Sequence, residues 1–210
     1  MTKVDRILVA SGNPKKLREF TVLLAPLGIE VVDPVEFGGL DEVDEDQPTF
    51  AGNALKKARI AAEKSGIIAL ADDSGLEVDA LDGRPGVFSA RYAGTPCDDA
   101  KNNAKLIEEL AKVEGEARSA RFICALALVT PNGEVLCEVE GTVAGQILTE
   151  ARGTRDFGYD PLFQFAEPGH PITGKSFAEI SMEDKASVSH RGRAVHKLAQ
   201  YLSEARANRS

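Results

Sequence analysis

The stretch Ala71–Gly94, ADDSGLEVDALDGRPGVFSARYAG, places two adjacent carboxylates, Asp72-Asp73, directly after an apolar run. The run Ile67–Ala71 has strand length, and Ser74-Gly75 is typical of a turn, so the spacing predicts that a core strand ends there. Side chains alternate along a strand, so the two carboxylates should point to opposite sides. Ligands of open α/β sheets bind at such strand ends. Chemistry on a metal-bound substrate is one interpretation, and an ordinary turn is the other.

A phosphate-binding pattern follows the first strand of the chain. Arg6–Ala10 is predicted to be a strand, Ser11-Gly12-Asn13 a tight turn, and Pro14 the first residue of a helix. The free N–H groups and dipole of a helix start attract phosphate, and Lys15 and Lys16 add positive charge. The glycine spacing excludes a P-loop, and by itself the segment is equally typical of an ordinary βα connection.

The rest of the chain alternates early between strand and helix patterns and then changes to paired strands. The patterns predict strands over 29–33, 67–72, 121–129, 134–140 and 142–148, and helices over 14–25, 50–65, 98–112 and 192–206. Pro131-Asn132-Gly133 supplies the turn of an antiparallel pair. We therefore expect an α/β fold with a mixed sheet, in a single domain over residues 1–210.

Composition excludes several classes of function. The chain has 210 residues, is 43% hydrophobic and carries a net charge of −8, so no general basic face indicates binding to nucleic acid. No apolar run has membrane length, and the N-terminus lacks a signal-peptide pattern. The odd number of cysteines, Cys97, Cys124 and Cys137, has no metal-ligand spacing and suits a reducing cytoplasm.

Five segments in order give the chain a family resemblance. They are SGNPKK from Ser11, TFAGNALKKA from Thr49, the stretch Ala71–Gly94, GYDPLF from Gly158 and KASVSHRG from Lys185. From about Ile7 to Leu202 the chain resembles the inosine/xanthosine triphosphate pyrophosphatase family, enzymes that remove non-canonical purine nucleotides so that these are not incorporated into DNA or RNA. The resemblance implies an elongated mixed sheet with flanking helices in two lobes, an active site in the cleft between them, and a homodimer.

The resemblance also implies the reaction and its residues. Water attacks the α-phosphorus of free ITP, dITP or XTP in a Mg²⁺-dependent step that yields the monophosphate and pyrophosphate. Asp73 is then the catalytic carboxylate and a metal ligand, with Ser74 contacting substrate beside it. The triphosphate would be held by Ser11, Gly12, Asn13, Pro14, Lys15 and Lys16. Because Mg²⁺ takes oxygen ligands and usually needs only one or two protein carboxylates plus substrate phosphates, a second acidic segment would complete the site.

That second segment is an acidic run with more candidates than the site needs. Asp41, Glu42, Asp44, Glu45 and Asp46 lie within six residues. Spacing from the resembled motif favours Asp44 and Glu45 as metal ligands. The other acidic residues of the run are typical of a solvated loop.

A lysine on the following helix is the other implied catalytic residue. Thr49 is predicted to cap this helix and Gly66 to end it. Periodicity alone makes Lys57 a solvated lysine, whereas the resemblance makes it a phosphate-binding or water-orienting cation. Asn53 on the same helix fits either a brace for the site or a surface polar residue.

The later motifs are implied to recognise the base. The implied set is Phe157, Gly158, Tyr159, Asp160, Lys185, His190 and Arg191. Phe157 offers a stacking face, and donors from His190 or Arg191 would favour a 6-oxo purine, since adenine would leave them unpaired at roughly 1–3 kcal/mol each. Without the motif, His190 would be interpreted as a helix cap or a surface residue.

Two other functions compete with this interpretation. A related class of pyrophosphatases acts on pyrimidine or modified nucleotides, and the segment Ser189-His190-Arg191-Gly192 argues against it, since the resemblance associates that segment with purine selectivity. A non-catalytic nucleotide sensor would lack Asp73 or Lys57, and both are present.

Overall fold

The computed structural model describes residues 4–40, 43–154 and 157–207. The strands are β1 (Arg6–Val9), β2 (Glu30–Val32), β3 (Ala69–Val78), β4 (Ser119–Val129), β5 (Val135–Ile147) and β6 (Phe163–Phe165). The α-helices are α1 (Pro14–Leu24), α2 (Phe50–Ser65), α3 (Asp99–Glu109), α4 (Met182–Val188) and α5 (His190–Ala207). Short 3₁₀ turns connect several of them.

The strands form one mixed sheet in the order β2-β1-β3-β4-β5-β6. β1 pairs in parallel with β2 and with β3, and Val9 lies opposite Leu70 of β3. β5 and β6 are antiparallel, with Gly145 opposite Phe165. The prediction of an α/β fold with a mixed sheet and flanking helices is confirmed.

The predicted turn at Pro131-Asn132-Gly133 is also confirmed. It joins β4 to β5, and Gly133 has a φ of 84°, which glycine adopts without strain. Gly133 N donates to Thr130 O at 2.9 Å, and Thr130 N donates to Glu134 O at 2.9 Å.

The described chain divides into two compact units, each with its own core. The first falls within residues 1–73, 124–141 and 191–210, and the second within 74–123 and 142–190. The core of the first unit includes Ile7, Phe20, Leu70, Leu128 and Leu198. The core of the second includes Leu76, Leu106, Phe122, Phe163 and Phe177.

β3 corrects the prediction that a strand ends at Ser74-Gly75. It begins at Ala69 and continues through both residues to Val78. The reason is that Leu76 and Val78 are fully buried, and the gain from burying them in the sheet outweighs the turn preference of Ser and Gly. Asp72 and Asp73 therefore lie inside the strand. They nevertheless lie beyond Leu70, the last residue of β3 that is paired with β1.

Other boundaries also differ from the predicted ones. Residues 134–140 and 142–148 were predicted to form two strands, but β5 is one strand across Gly141 because its pairing with neighbouring strands continues. β6 and α4 were not predicted, since segments of three and seven residues are too short for a periodic pattern to appear. α5 begins at His190 instead of 192.

The predicted cap and end of α2 are confirmed, and α1 has a cap that was not predicted. The Asn13 side chain caps α1 and the Thr49 hydroxyl caps α2, accepting from Gly52 N at 3.1 Å. α2 ends at Gly66, whose φ of 72° is left-handed. None of the helices in the described ranges has the length and apolar character needed to cross a membrane.

Candidate active site

The loop after β1 presents the start of α1, as the phosphate-site prediction requires. Ser11 is buried, whereas the next four residues are exposed. Asn13 Oδ1 accepts from Lys15 N at 2.9 Å and from Lys16 N at 3.4 Å, and Ser11 Oγ accepts from Asn13 N at 3.2 Å. These bonds fix the turn at the start of α1, where the positive end of the helix dipole attracts anions.

Asp72 joins the start of α1 to α5. Its Oδ2 lies 2.9 Å from Lys16 Nζ and 3.2 Å from Arg191 Nη2, and the carboxylate is almost completely buried. Arg191 also contacts Glu19 of α1 through Nη1. Burial opposes the positive charge, but Asp72 and Glu19 outweigh it and raise the pKa of Arg191 above its ordinary value.

Asp73 makes its contacts with α2 instead. Its Oδ1 lies 3.0 Å from Lys57 Nζ, and the same ammonium lies 2.9 Å from Glu45 Oε1. The Lys57 side chain is only 14% exposed, so the periodicity-based interpretation of a solvated lysine is wrong. Asp72 and Asp73 have different partners, as the alternation of side chains along a strand predicts.

The electrostatics of this group follow from two carboxylates around one cation. Burial raises the pKa of Asp73, and the Glu45 carboxylate raises it further, against the lowering effects of Lys57 and Asn53. Burial alone would lower the pKa of Lys57, but Asp72, Asp73 and Glu45 outweigh it and raise the pKa above its ordinary value. Lys57 is therefore held charged, while Asp73 is a stronger proton acceptor than an exposed aspartate.

Asn53 braces Asp73, which was one of its two predicted roles. It is buried, and its Nδ2 donates to Asp73 Oδ2 at 3.0 Å. Its Oδ1 accepts from Gln47 N at 3.0 Å, which ties the acidic segment to α2. Both oxygens of Asp73 thus have fixed donors.

The acidic segment gives its candidates different surroundings. Glu45 contacts Lys57, whereas Asp44 is exposed and its backbone carbonyl accepts from Lys56 Nζ at 2.9 Å. The Asp46 carboxylate lies 2.9 Å from the same ammonium. The two remaining candidates, Asp41 and Glu42, lie outside the described residues.

The oxygen donors of this group fit a hard divalent cation. The Glu45 and Asp73 carboxylates are neighbours, since both contact the Lys57 ammonium. Within residues 4–40, 43–154 and 157–207, no group of three or more His, Cys, Asp or Glu side chains is positioned to hold a metal ion. Two carboxylates suffice for Mg²⁺, which keeps several waters and takes further oxygens from substrate phosphates.

A second cluster lies in the second unit around Lys185. Its Nζ lies 2.6 Å from Asp160 Oδ2 and 4.9 Å from the centre of the Phe157 ring. The same ammonium lies 5.9 Å from the centre of the Phe177 ring. The structure therefore brings together Phe157, Asp160 and Lys185, three residues predicted to recognise the base.

Gly158 and Tyr159, between Phe157 and Asp160, use their polar groups within the protein. Gly158 N donates to Asp99 Oδ2 at 2.9 Å, and Gly158 O accepts from Asn103 Nδ2 at 2.9 Å. Tyr159 is buried and donates its hydroxyl to Ser89 O at 2.8 Å. Burial raises the pKa of Tyr159, so the hydroxyl stays protonated.

His190 begins α5 and is buried, so it is not a surface histidine. Its ring stacks on Phe122 with the centres 4.8 Å apart and the planes at 18°. Ser74 follows Asp73 in β3 and is half-buried. These placements leave the assignment of both residues to substrate binding as a prediction.

The sequence and fold were compared with known proteins. Residues 7–201 match the model of the Ham1 family. The chain belongs to the Ham1 family. It is 50% identical to a dITP/XTP pyrophosphatase of Desulforamulus reducens, over 94% of this chain and 95% of that protein. It is 48% identical to a dITP/XTP pyrophosphatase of Geobacter sulfurreducens, over 95% of this chain and 97% of that protein.

Solved structures agree with this membership of the Ham1 family. The HAM1 protein from Coxiella burnetii is 40% identical, with a TM-score of 0.82 over 95% of this chain and 98% of that chain. The nucleoside-triphosphatase / dITP/XTP pyrophosphatase from Mycobacterium abscessus is 45% identical, with a TM-score of 0.72 over 92% of this chain and 98% of that chain.

Some residues of both clusters were not predicted. Glu19, Asp99 and Asn103 sit on helices where any polar residue fits a solvated face, and their partners are 172, 59 and 55 residues away. No periodic signal relates positions so far apart. The double carboxylate was the only available clue to the Asp72 contacts.

Proposed function

We propose that this chain hydrolyses non-canonical purine nucleoside triphosphates, with ITP, dITP and XTP as substrates, to the monophosphate and pyrophosphate. The observation that carries the proposal is the buried ammonium of Lys57 shared by Glu45 and Asp73. The phosphate loop is tied to the same part of β3 through Lys16 and Asp72. Relatives about 50% identical over nearly the whole chain are named dITP/XTP pyrophosphatase, which supports the substrate class.

We infer that the resident cation is Mg²⁺, held by Glu45 and Asp73. When bound, it supplies charge neutralisation on the phosphates and lowers the pKa of a water. Asp44, although exposed, stays the alternative acidic ligand proposed from spacing.

Asp73 would orient the attacking water and accept its proton. A carboxylate beside the attacking water suits that role, since a general base must lie within hydrogen-bond reach of the proton that it removes. Asn53 holds the second carboxylate oxygen and so keeps the group in one orientation.

The cations would stabilise charge that develops on the leaving pyrophosphate. Lys57 is held charged by its carboxylate neighbours, and Lys15 and Lys16 stand at the positive end of α1. Fixed positive groups of this kind lower the barrier because they need no reorganisation during the reaction.

Base recognition would belong to the second cluster. Phe157 offers a ring for stacking, and Lys185 offers a buried charged donor that suits the 6-oxo group of inosine or xanthine. Adenine carries a 6-amino group, which cannot accept a hydrogen bond from this ammonium, so a contact worth about 1–3 kcal/mol would be absent. His190 and Arg191 stay proposed as further substrate-binding residues.

The test is product analysis with the triphosphates of inosine, xanthosine, guanosine and adenosine in the presence of Mg²⁺. Pyrophosphate released chiefly from the first two would support both the bond cleaved and the purine selectivity. Orthophosphate as the product would contradict α-phosphorus attack, and equal rates on all four would contradict the proposed pocket.

We also propose that the enzyme is a cytoplasmic homodimer. The three cysteines are free thiols, which suits a reducing compartment, and free nucleotides are available there.

The Phe88 residue is 57% exposed on a 3₁₀ turn at Gly86–Arg91, next to the Gly83–Gly86 segment that we suggest for the dimer interface. Light scattering of the purified chain tests this: twice the 22.4 kDa chain mass is expected, and a monomer would contradict it.

A further inference from the structure

The backbone N–H and C=O groups of Gly158 are hydrogen-bonded to two side chains on one face of α3. Asp99 accepts from Gly158 N at 2.9 Å, and Asn103 donates to Gly158 O at 2.9 Å. Asp99 and Asn103 are four residues apart, so they stand one helical turn apart on the same side of α3. A single residue of the loop is therefore held at both its donor and its acceptor.

The contact matters because Gly158 is the residue next to Phe157, so its conformation sets the direction of the backbone at Phe157. Gly158 has a φ of 55°, in a region where glycine exchanges freely with other conformations. Phe157 and Asp160 are joined by a turn, in which Asp160 N donates to Phe157 O at 3.1 Å, and Lys185 contacts both side chains. Fixing Gly158 therefore fixes the backbone on which the Phe157 ring is carried, in addition to the contact between that ring and Lys185.

The orientation of the Asn103 amide agrees with this dependence. Its Oδ1 is buried and has no hydrogen-bond partner among the residues that the structure describes. A buried unpaired acceptor is costly, so the bond from Nδ2 to Gly158 O sets the orientation of the amide.

Helix α3 is itself held in place by hydrogen bonds of two side chains at its start, Asp98 and Asn102. The Asp98 side chain caps it by accepting from Lys101 N at 3.0 Å. The buried Asn102 accepts from Ala93 N at 2.7 Å and donates to Ala90 O at 2.9 Å. The turn of α3 that carries Asp99 and Asn103 is thus held in place by contacts that do not involve Gly158.

We propose that Asp99 and Asn103 are positioning residues for base recognition: they lock the Gly158 peptide so that Phe157 keeps its ring in the geometry that a purine stacks on. The proposal rests on the proposed function, since it needs a nucleotide whose base contacts Phe157. Neither residue is proposed to touch the substrate.

The experiment compares Asp99→Ala, Asp99→Asn and Asn103→Ala with the exposed control Glu108→Ala on the same helix. Each variant is assayed for KM and kcat with ITP, and calorimetry measures binding of inosine monophosphate and, separately, of inorganic pyrophosphate. Asp99→Asn keeps an acceptor for Gly158 N but removes the charge. Melting temperatures verify that each variant is folded.

The alanine variants at positions 99 and 103 should raise both KM for ITP and Kd for inosine monophosphate about tenfold, with kcat within about twofold. Pyrophosphate binding should stay unchanged, because the defect concerns the base alone. Asp99→Asn and Glu108→Ala should behave like the wild type.

Three results would overturn the proposal: wild-type KM in both alanine variants, an equal loss of pyrophosphate binding, or a defect in Asp99→Asn as large as in Asp99→Ala. A lowered melting temperature with unchanged KM would likewise reduce both residues to a structural role. Failure of the proposed function is separate, since it would appear in the wild type as orthophosphate release or as no binding of inosine monophosphate.

Discussion

Lys57 links the two carboxylates that are proposed to act in catalysis. Its ammonium lies within 3.0 Å of both Glu45 and Asp73, and all three side chains are largely removed from water. Buried charges are costly unless paired, so the three groups stabilise one another only as a set. This dependence makes single substitutions informative.

Asp73→Asn should abolish turnover while leaving the fold and nucleotide binding intact. The amide keeps the shape and its oxygen can still accept from Lys57, although its NH₂ group then faces Asn53 Nδ2 and lowers stability somewhat. It cannot take a proton from water and is a poor metal ligand. We expect kcat to fall by about two to four orders of magnitude. The measurement is pyrophosphate release from ITP, with calorimetry for binding. The control Asp82→Asn changes an exposed aspartate with a φ of 54°, which asparagine tolerates. Near-wild-type turnover in Asp73→Asn would contradict the assignment.

Lys57→Met should damage stability as well as activity. It leaves Glu45 and Asp73 facing each other without their shared cation, and breaking a buried charge pair costs about 3 kcal/mol or more. We expect kcat to fall at least about a hundredfold. Urea denaturation measures the loss of stability. The matched control is Lys56→Met, whose side chain is 31% exposed and pairs with Asp46. Equal effects of the two substitutions would argue against a special role for Lys57.

At the scale of single residues, the sequence predicted which side chains belong to the candidate site better than it predicted the contacts among them. Motif resemblance identified Asp73, Lys57 and Glu45, and the structure brings these three together. The contacts of Arg191 with Asp72 and Glu19 join positions more than a hundred residues apart, so no local pattern contains them.

Among the elements, β3 and β5 show how tertiary context overrides local preference. Ser74-Gly75 has turn residues and Gly141 interrupts an apolar pattern, yet both lie within long strands. Helices α1 and α2 agreed closely with prediction, because their starts and the end of α2 are marked by local signals, Pro14, Thr49 and Gly66. Strand length instead depends on pairing with neighbours that the local sequence does not contain.

Gly145→Ala should weaken the attachment of β6 to β5. A Cβ at this position would lie 2.4 Å from Phe163 Cζ and 2.5 Å from Gln164 O, closer than atoms can approach. Relieving the overlap requires a shift of strand β6, at about 1–3 kcal/mol. Urea denaturation measures the loss. In the control Gly12→Ala the new Cβ meets nothing within 4 Å, so its stability should be unchanged. Equal stabilities of the two variants would contradict the prediction.

The link between the loop after β3 and α3 should make stability depend on alkaline pH. Tyr92 donates to Glu109 at 2.8 Å, and burial together with that carboxylate raises its pKa from 10.0 to about 12. The folded state therefore holds this proton more tightly than the unfolded state. The stabilisation is complete below pH 10 and is lost as the pH rises through about 12.

Tyr92→Phe tests this sign. The difference in unfolding free energy between wild type and variant should be constant below about pH 10 and should shrink toward pH 12, as measured by urea denaturation across that range. A difference that stays constant to pH 12 would show that the tyrosine proton is not linked to folding.

At the scale of the whole molecule, the arrangement of charges indicates that the folded state is stable without a bound metal ion. The chain has a net charge of −8. In the described ranges, however, no three potential metal-ligating side chains lie together in a way that could hold a cation. Lys57 already offsets the two carboxylates proposed as ligands. The fold should thus not need the cation, in contrast to small zinc domains that unfold without metal.

Metal removal should consequently abolish activity without unfolding the protein. With excess EDTA we expect no pyrophosphate release from ITP and a melting temperature within about 2 °C of the untreated enzyme. Mg²⁺ together with a non-hydrolysable ITP analogue at about a hundred times its Kd should stabilise the fold by about 2.7 kcal/mol, or roughly 5 to 10 °C for a chain of this length. An ATP analogue at the same concentration, as the control, should give a smaller shift. A large fall in melting temperature with EDTA alone would mean that the two carboxylates need a metal, and that Lys57 does not balance them as the structure indicates.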